Sequence, residues 1–129
     1  MSESFSIINK TKGKLPFENL PFAEIKNLAL GENYELELVF VAPKESRKIN
    51  RDFHHSDKPT NILSFPLSEN AGQIFICPTY AKKEAPKFGR KFPNYIAFLF
   101  IHGVIHLKGF THSSKMESEE QKIRDAFSI

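Results

Sequence analysis

The hydrophobic pattern changes period several times along the chain, and each change marks an element. Residues 4–9, SFSIIN, read as a short strand. From Phe22 to Leu30 the apolar positions recur at helical spacing and stop before Gly31, which suits a helix end. Residues 34–42, YELELVFVA, alternate and then turn fully apolar, as in a strand covered on at least one face, and Pro43 ends it. Residues 44–54, KESRKINRDFH, fit a second helix with Ile49 and Phe53 on one side. Residues 61–67, NILSFPL, and 73–77, QIFIC, read as two strands, and the five-residue SENAG between them predicts an antiparallel hairpin.

Pro78 and Thr79 open a charged helix that ends near Gly89. Pro93 suits the first position of the next helix, where its missing N–H costs nothing. That helix, PNYIAFLFIHGVIHLK, is apolar on almost every face, and such a helix belongs in the middle of a domain. Ser114 and Glu117 have the form of a capping box that opens a last helix through Ile123 and Phe127. The sum predicts an α+β fold: a small mixed β-sheet of about four strands packed with about five helices, the histidine-bearing helix at the centre. No linker or repeat interrupts the pattern, so residues 1–129 read as a single domain.

Composition narrows the class. With 40% hydrophobic and 26% charged residues the chain looks like an ordinary globular protein. No run of 18 or more apolar residues predicts a membrane span, and no membrane partner is expected. The start, MSESFSIINKTKGK, does not read as a secretory signal. Cys77 is the one cysteine, so it has no disulfide partner within the chain, and a reducing cytoplasm is the expected location. The net charge of +3 is compatible with a polyanion such as RNA, and also with many ordinary enzymes. Lys82, Lys83, Lys87, Arg90 and Lys91 form the densest basic stretch, a candidate backbone-contact patch.

The candidate chemistry lies in HGVIHLKGFTH, which holds three of the five histidines. His102 and His106, four apart, share a helix face. Gly109 suits a left-handed helix end and shortens the return to His112. Three imidazoles with no nearby thiol describe an open metal site, for which zinc is favoured while nickel, copper and iron stay open. Metal-activated water makes hydrolysis the natural reaction class. The spacing of His102, His106, Gly109 and His112 coincides with that of metzincin peptidases, but Gly103 stands where a peptidase needs a glutamate base, which argues against peptide hydrolysis. Gly103 itself suits either close backbone approach at a site or plain packing.

A second match fits better. HGVIHLKGFTH resembles the HGxLHLxGYDH motif of the YbeY family, the rRNA-maturation endoribonucleases. INRDFHHSDKPTNILSFP and GQIFIC resemble that family's upstream segments, in the same order, and the likeness spans roughly residues 34–127. The resemblance implies one Zn2+ per chain on His102, His106 and His112. It implies a cleft flanked by residues 57–65, in which Lys58, Asn61 and Ser64 are the expected substrate contacts. It implies a single-strand-specific metallo-endoribonuclease, zinc-bound water attacking a phosphodiester, that acts in 16S rRNA 3′-end maturation and ribosome quality control at the small ribosomal subunit. His54 stands where the family commonly has an arginine, and takes the expected catalytic role of contacting phosphate or shuttling a proton. Gln73 and Thr111 replace aspartates common in the family. These departures keep a rival open, a non-catalytic, metal-stabilised ribosome assembly factor, and a third reading is a hydrolase of another phosphoester or amide.

Overall fold

The computed structural model describes residues 4–15, 17, 19–54 and 60–129, the side chain of His54 excepted. Four strands form one sheet: β1 (Phe5–Asn9), β2 (Glu35–Phe40), β3 (Ile62–Ser68) and β4 (Ala71–Ile76). Their order is β1-β2-β4-β3, with β1 and β4 parallel to β2 and β3 antiparallel to β4. Among the described residues the sheet is joined by five α-helices: α1 (Phe22–Leu30), α2 (Pro43–His54), α3 (Pro78–Glu84), α4 (Phe92–Leu107) and α5 (Ser114–Phe127). The mixed sheet and five helices are the expected α+β architecture.

Three local details differ from the sequence reading. The hairpin connection is shorter than SENAG, because β3 runs to Ser68 and β4 starts at Ala71. Ser68 Oγ accepts from the Asn70 N–H at 3.2 Å and tightens the turn. The charged helix splits, α3 giving way to a 3-10 turn over Ala85–Phe88 before Gly89. Pro86 explains the change, since it has no N–H to donate to the preceding turn. The cap of α5 is Ser113 rather than Ser114: its backbone is extended and its Oγ accepts from the Met116 N–H at 3.2 Å. Glu117 therefore sits in the first turn, facing the positive end of the helix dipole, instead of closing a capping box.

The core lies between one face of the sheet and the helices α1, α4 and α5. Leu36, Leu38 and Phe40 of β2 and Ile74 and Ile76 of β4 point into it and are buried. Alternation sends Val39, Phe75 and Cys77 to the other face, where a smaller cluster forms with Val41 and Tyr80. On that side the rings of Phe53, Phe65 and Phe75 meet in sequence, with centroids 5.4 and 5.8 Å apart.

Helix α4 is central, as its all-round hydrophobicity predicts: Ile96, Ala97, Phe100, Ile101 and Val104 are fully buried. Gly103 is what lets it lie so close to the sheet. A Cβ there would stand 2.9 Å from Ile74 Cδ1, 3.0 Å from Ser64 Oγ and 3.2 Å from Ile62 Cδ1. The glycine thus serves a helix-on-sheet contact, and that contact also sets the depth at which the flanking histidines sit.

Candidate metal centre

His102 and His106 leave α4 one turn apart, with ring centroids 4.6 Å apart. The end of the helix brings in the third ring. Gly109 adopts φ +107°, outside the range of ordinary side chains. Its N–H donates to the His106 carbonyl at 2.9 Å and the Phe110 N–H to the Ile105 carbonyl at 3.4 Å, the paired bonds of a Schellman cap. The chain then doubles back, and the His112 ring comes to 5.4 and 5.0 Å from those of His102 and His106. One nitrogen from each ring lies within 4.8 Å of the others.

The proton positions follow from the outer partners. His106 Nδ1 is 3.1 Å from the Phe110 carbonyl oxygen, which can only accept, so Nδ1 carries the hydrogen. His102 Nδ1 is 3.0 Å from Glu120 Oε1 and donates to that carboxylate. In the neutral rings both Nε2 atoms are then bare lone pairs, and they face each other at 3.1 Å. Two lone pairs at that distance repel unless a cation lies between them. Tetrahedral zinc, with Zn–N bonds of about 2.0–2.1 Å, sets its nitrogens roughly 3.3 Å apart. The donor set therefore fits a divalent metal. Burial, and then the charge of neighbouring His102, holds the His106 pKa below its ordinary value and favours the neutral, ligating form.

Glu120 is the residue that sequence reasoning missed. It is 5% exposed, and Arg124 NH1 lies 4.0 Å from its carboxylate. A carboxylate that orients a ligating imidazole fixes its tautomer and raises its basicity. The signal was present in α5, where Glu120 falls on the same buried face as Met116 and Ile123. A charged residue on an apolar stripe calls for a partner, but nothing local says that the partner is eighteen positions back.

A cleft of about 450 Å³ opens over the trio, lined also by Ser64, Pro66, Phe110 and Thr111. Its members come from β3, α4 and the turn after α4, elements joined only by the tertiary fold.

The sequence profile of the family Endoribonuclease YbeY matches residues 5–127. The chain belongs to the YbeY family. An Endoribonuclease YbeY of Sulfurimonas denitrificans is 35% identical over 86% of this chain and 86% of its own length. One from Thermotoga maritima is 32% identical over 90% of this chain and 83% of its own. The solution structure of a Thermotoga maritima protein superimposes with a TM-score of 0.69 at 26% identity, covering 96% of this chain and 89% of that one. As a YbeY-family protein the chain is a nuclease, a hydrolase whose substrate is RNA.

The residues that the YbeY likeness singled out divide in three. Ser64 joins the trio's cleft. Asn61 lies alongside, its Nδ2 donating to the Tyr95 hydroxyl at 3.1 Å. Asp57, Lys58 and Pro59 lie outside the described residues, as does the His54 side chain, although the His54 backbone ends α2. Of the departures, Thr111 borders the metal centre, whereas Gln73 does not. Gln73 alternates with buried Ile74, so it faces away from α4, where its Nε2 donates to Glu37 Oε1 at 3.0 Å.

The basic stretch is less free than it looks in sequence. Arg90 donates to Asn94 Oδ1 and, at 3.0 Å, to the Ile129 carbonyl. Lys82 and Lys83 stand over the rings of Phe92 and Tyr80 and Lys87 pairs with Glu84, yet such lysine tips stay available to an anion. No helix among the described residues is long and apolar enough to cross a membrane.

Proposed function

We propose that this protein is a zinc-dependent endoribonuclease for single-stranded RNA, with His102, His106 and His112 as the ligands of one Zn2+. The observation that carries the reading is the pair of bare Nε2 atoms at 3.1 Å, each fixed by an acceptor on the far side of its ring. When bound, zinc supplies the Lewis acidity that lowers the pKa of a water ligand toward neutrality. Glu120 and the Phe110 carbonyl hold the rings in the ligating tautomer. Ser64 and Asn61 stand where the RNA strand passes, and Lys58 and His54 supply cationic contacts to phosphate, His54 as a proton carrier as well. We further infer a cytoplasmic role in 16S rRNA 3′-end maturation and ribosome quality control, the small ribosomal subunit providing the selectivity that a +3 chain lacks by itself. One domain, residues 1–129, carries these roles.

A labelled single-stranded RNA and zinc-loaded protein test the reading, with elemental analysis of the same preparation. The expected result is about one zinc per chain and cleavage that is lost in His106→Ala together with the metal. Cleavage unchanged in His106→Ala would be contamination and would sink the proposal. The second reading, a metal-stabilised assembly factor, draws on the histidine at 54 where the family carries arginine. Zinc binding and attachment to the small subunit, with RNA left intact, would favour it.

A further inference from the structure

A second cleft, of about 420 Å³, adjoins the metal centre and shares His102 and His112 with it. Metal binding gives it no use. Its floor is a cluster of three rings, each in contact with the other two. Phe88 packs against Tyr95 with centroids 5.3 Å apart and planes 21° apart, Tyr95 against Phe98 at 5.7 Å and 16°, and Phe98 closes the triangle with Phe88 at 6.2 Å and a tilt of 36°. Two cations brace the cluster at Phe98. The guanidinium of Arg90 lies 4.3 Å from the Phe98 centroid, and that of Arg124 5.3 Å. Asn61 holds the Tyr95 hydroxyl. Tyr95 is buried, but Phe88 is 54% exposed. The short 3-10 turn that carries Phe88 ends at Gly89 with φ +63°, which pins the ring's backbone in place.

An exposed phenyl ring held in a packed aromatic cluster, beside the proposed phosphodiester-cleaving centre, suits one ligand chemistry above others: a flat heteroaromatic base. We propose that this cleft is a nucleobase subsite, in which a base of the RNA strand stacks on the exposed ring of Phe88 while the adjoining phosphate reaches the histidine trio. Asn61 and Glu117 stand at its walls, where the polar edge of the base would lie. Stacking tolerates any base, so the subsite grips single strands, whose bases are free to splay, and rejects duplexes, whose bases are already stacked. The assignment rests on the RNA-cleaving reading above.

The test uses zinc-loaded protein and short single-stranded RNAs carrying fluorescent 2-aminopurine at one position at a time, read in a stopped-flow mixer before turnover. Wild type quenches the probe at one position, Phe88→Ala loses that quenching, and Phe88→Tyr keeps it. An abasic nucleotide at that position weakens wild-type binding about tenfold and Phe88→Ala binding not at all, as stacking predicts. Thermal melts of both variants check folding, and the exposure of Phe88 makes a large change unexpected. RNA that is bound and cut with the same affinity whether or not the base and the Phe88 ring are present overturns the subsite alone. RNA that is neither bound nor cut by wild type overturns the nuclease reading and the subsite with it.

Discussion

His102 and Glu120 are far apart along the chain and 3.0 Å apart in space, and the carboxylate decides which imidazole nitrogen is bare. Its removal leaves the ring free to turn and to exchange tautomers. Glu120→Ala is expected to lower zinc affinity about 10- to 100-fold, and Glu120→Gln, which keeps an acceptor oxygen, by much less. Competition with a chelating dye measures both. Equal losses in the two variants would mean that packing, not the hydrogen bond, is what Glu120 supplies. Gly103 belongs to the same scale. Its missing Cβ sets the depth of the helix, so its role beside His102 is steric, and no proton passes through it.

At the scale of the element, the end of α4 does more than stop a helix. The Schellman cap turns the chain, places the Phe110 carbonyl against His106 Nδ1 and returns His112 to the trio. All of this depends on φ +107° at Gly109. Nothing lies within 4 Å of where a Cβ would be, so the penalty for alanine is one of backbone conformation alone. Gly109→Ala is expected to cost on the order of 1–2 kcal/mol in urea unfolding of the metal-free protein. It should also weaken zinc more than a surface change of equal cost to stability, because the cap and the site are one structure. Unchanged zinc affinity in a destabilised variant would separate the two.

At the scale of the molecule, ligands that a fold assembles report on folding itself. Zinc at a hundred times its dissociation constant should stabilise the native state by about 2.7 kcal/mol, provided the unfolded chain binds it weakly. For a domain of this size that is a rise in Tm of roughly 10 °C, reversed by chelation. The pH dependence of the metal-free protein has a definite sign. The folded pKa of His106 lies below the ordinary 6.5, so between the two values the unfolded chain holds more protons. Stability then rises with pH through that window and stops rising above 6.5 on this group's account. The slope should flatten in His106→Ala, as denaturant titrations at several pH values would measure. A slope unchanged by the substitution would assign it to another group.

Much of this was legible in one dimension. Hydrophobic period marked the strands and helices, because a residue's neighbours along the chain determine which face it turns to the core. The apolar run around His102 and His106 marked α4 as central, and spacing with Gly109 predicted the trio. Where the reading missed, the cause was either a local detail at an element's end or a contact between segments distant in sequence. Pro86, which lacks an N–H, and Ser113, whose Oγ accepts from the Met116 N–H, shifted element ends. Strand alternation put Gln73, which stands where the family commonly has aspartate, on the sheet face away from α4. The Phe88, Tyr95 and Phe98 cluster and the Glu120 carboxylate met the histidines only after α3, α4 and α5 had packed. A chain specifies periodicity and turn chemistry residue by residue, whereas the depth of a helix on its sheet and the partner of a buried charge are settled when surfaces meet.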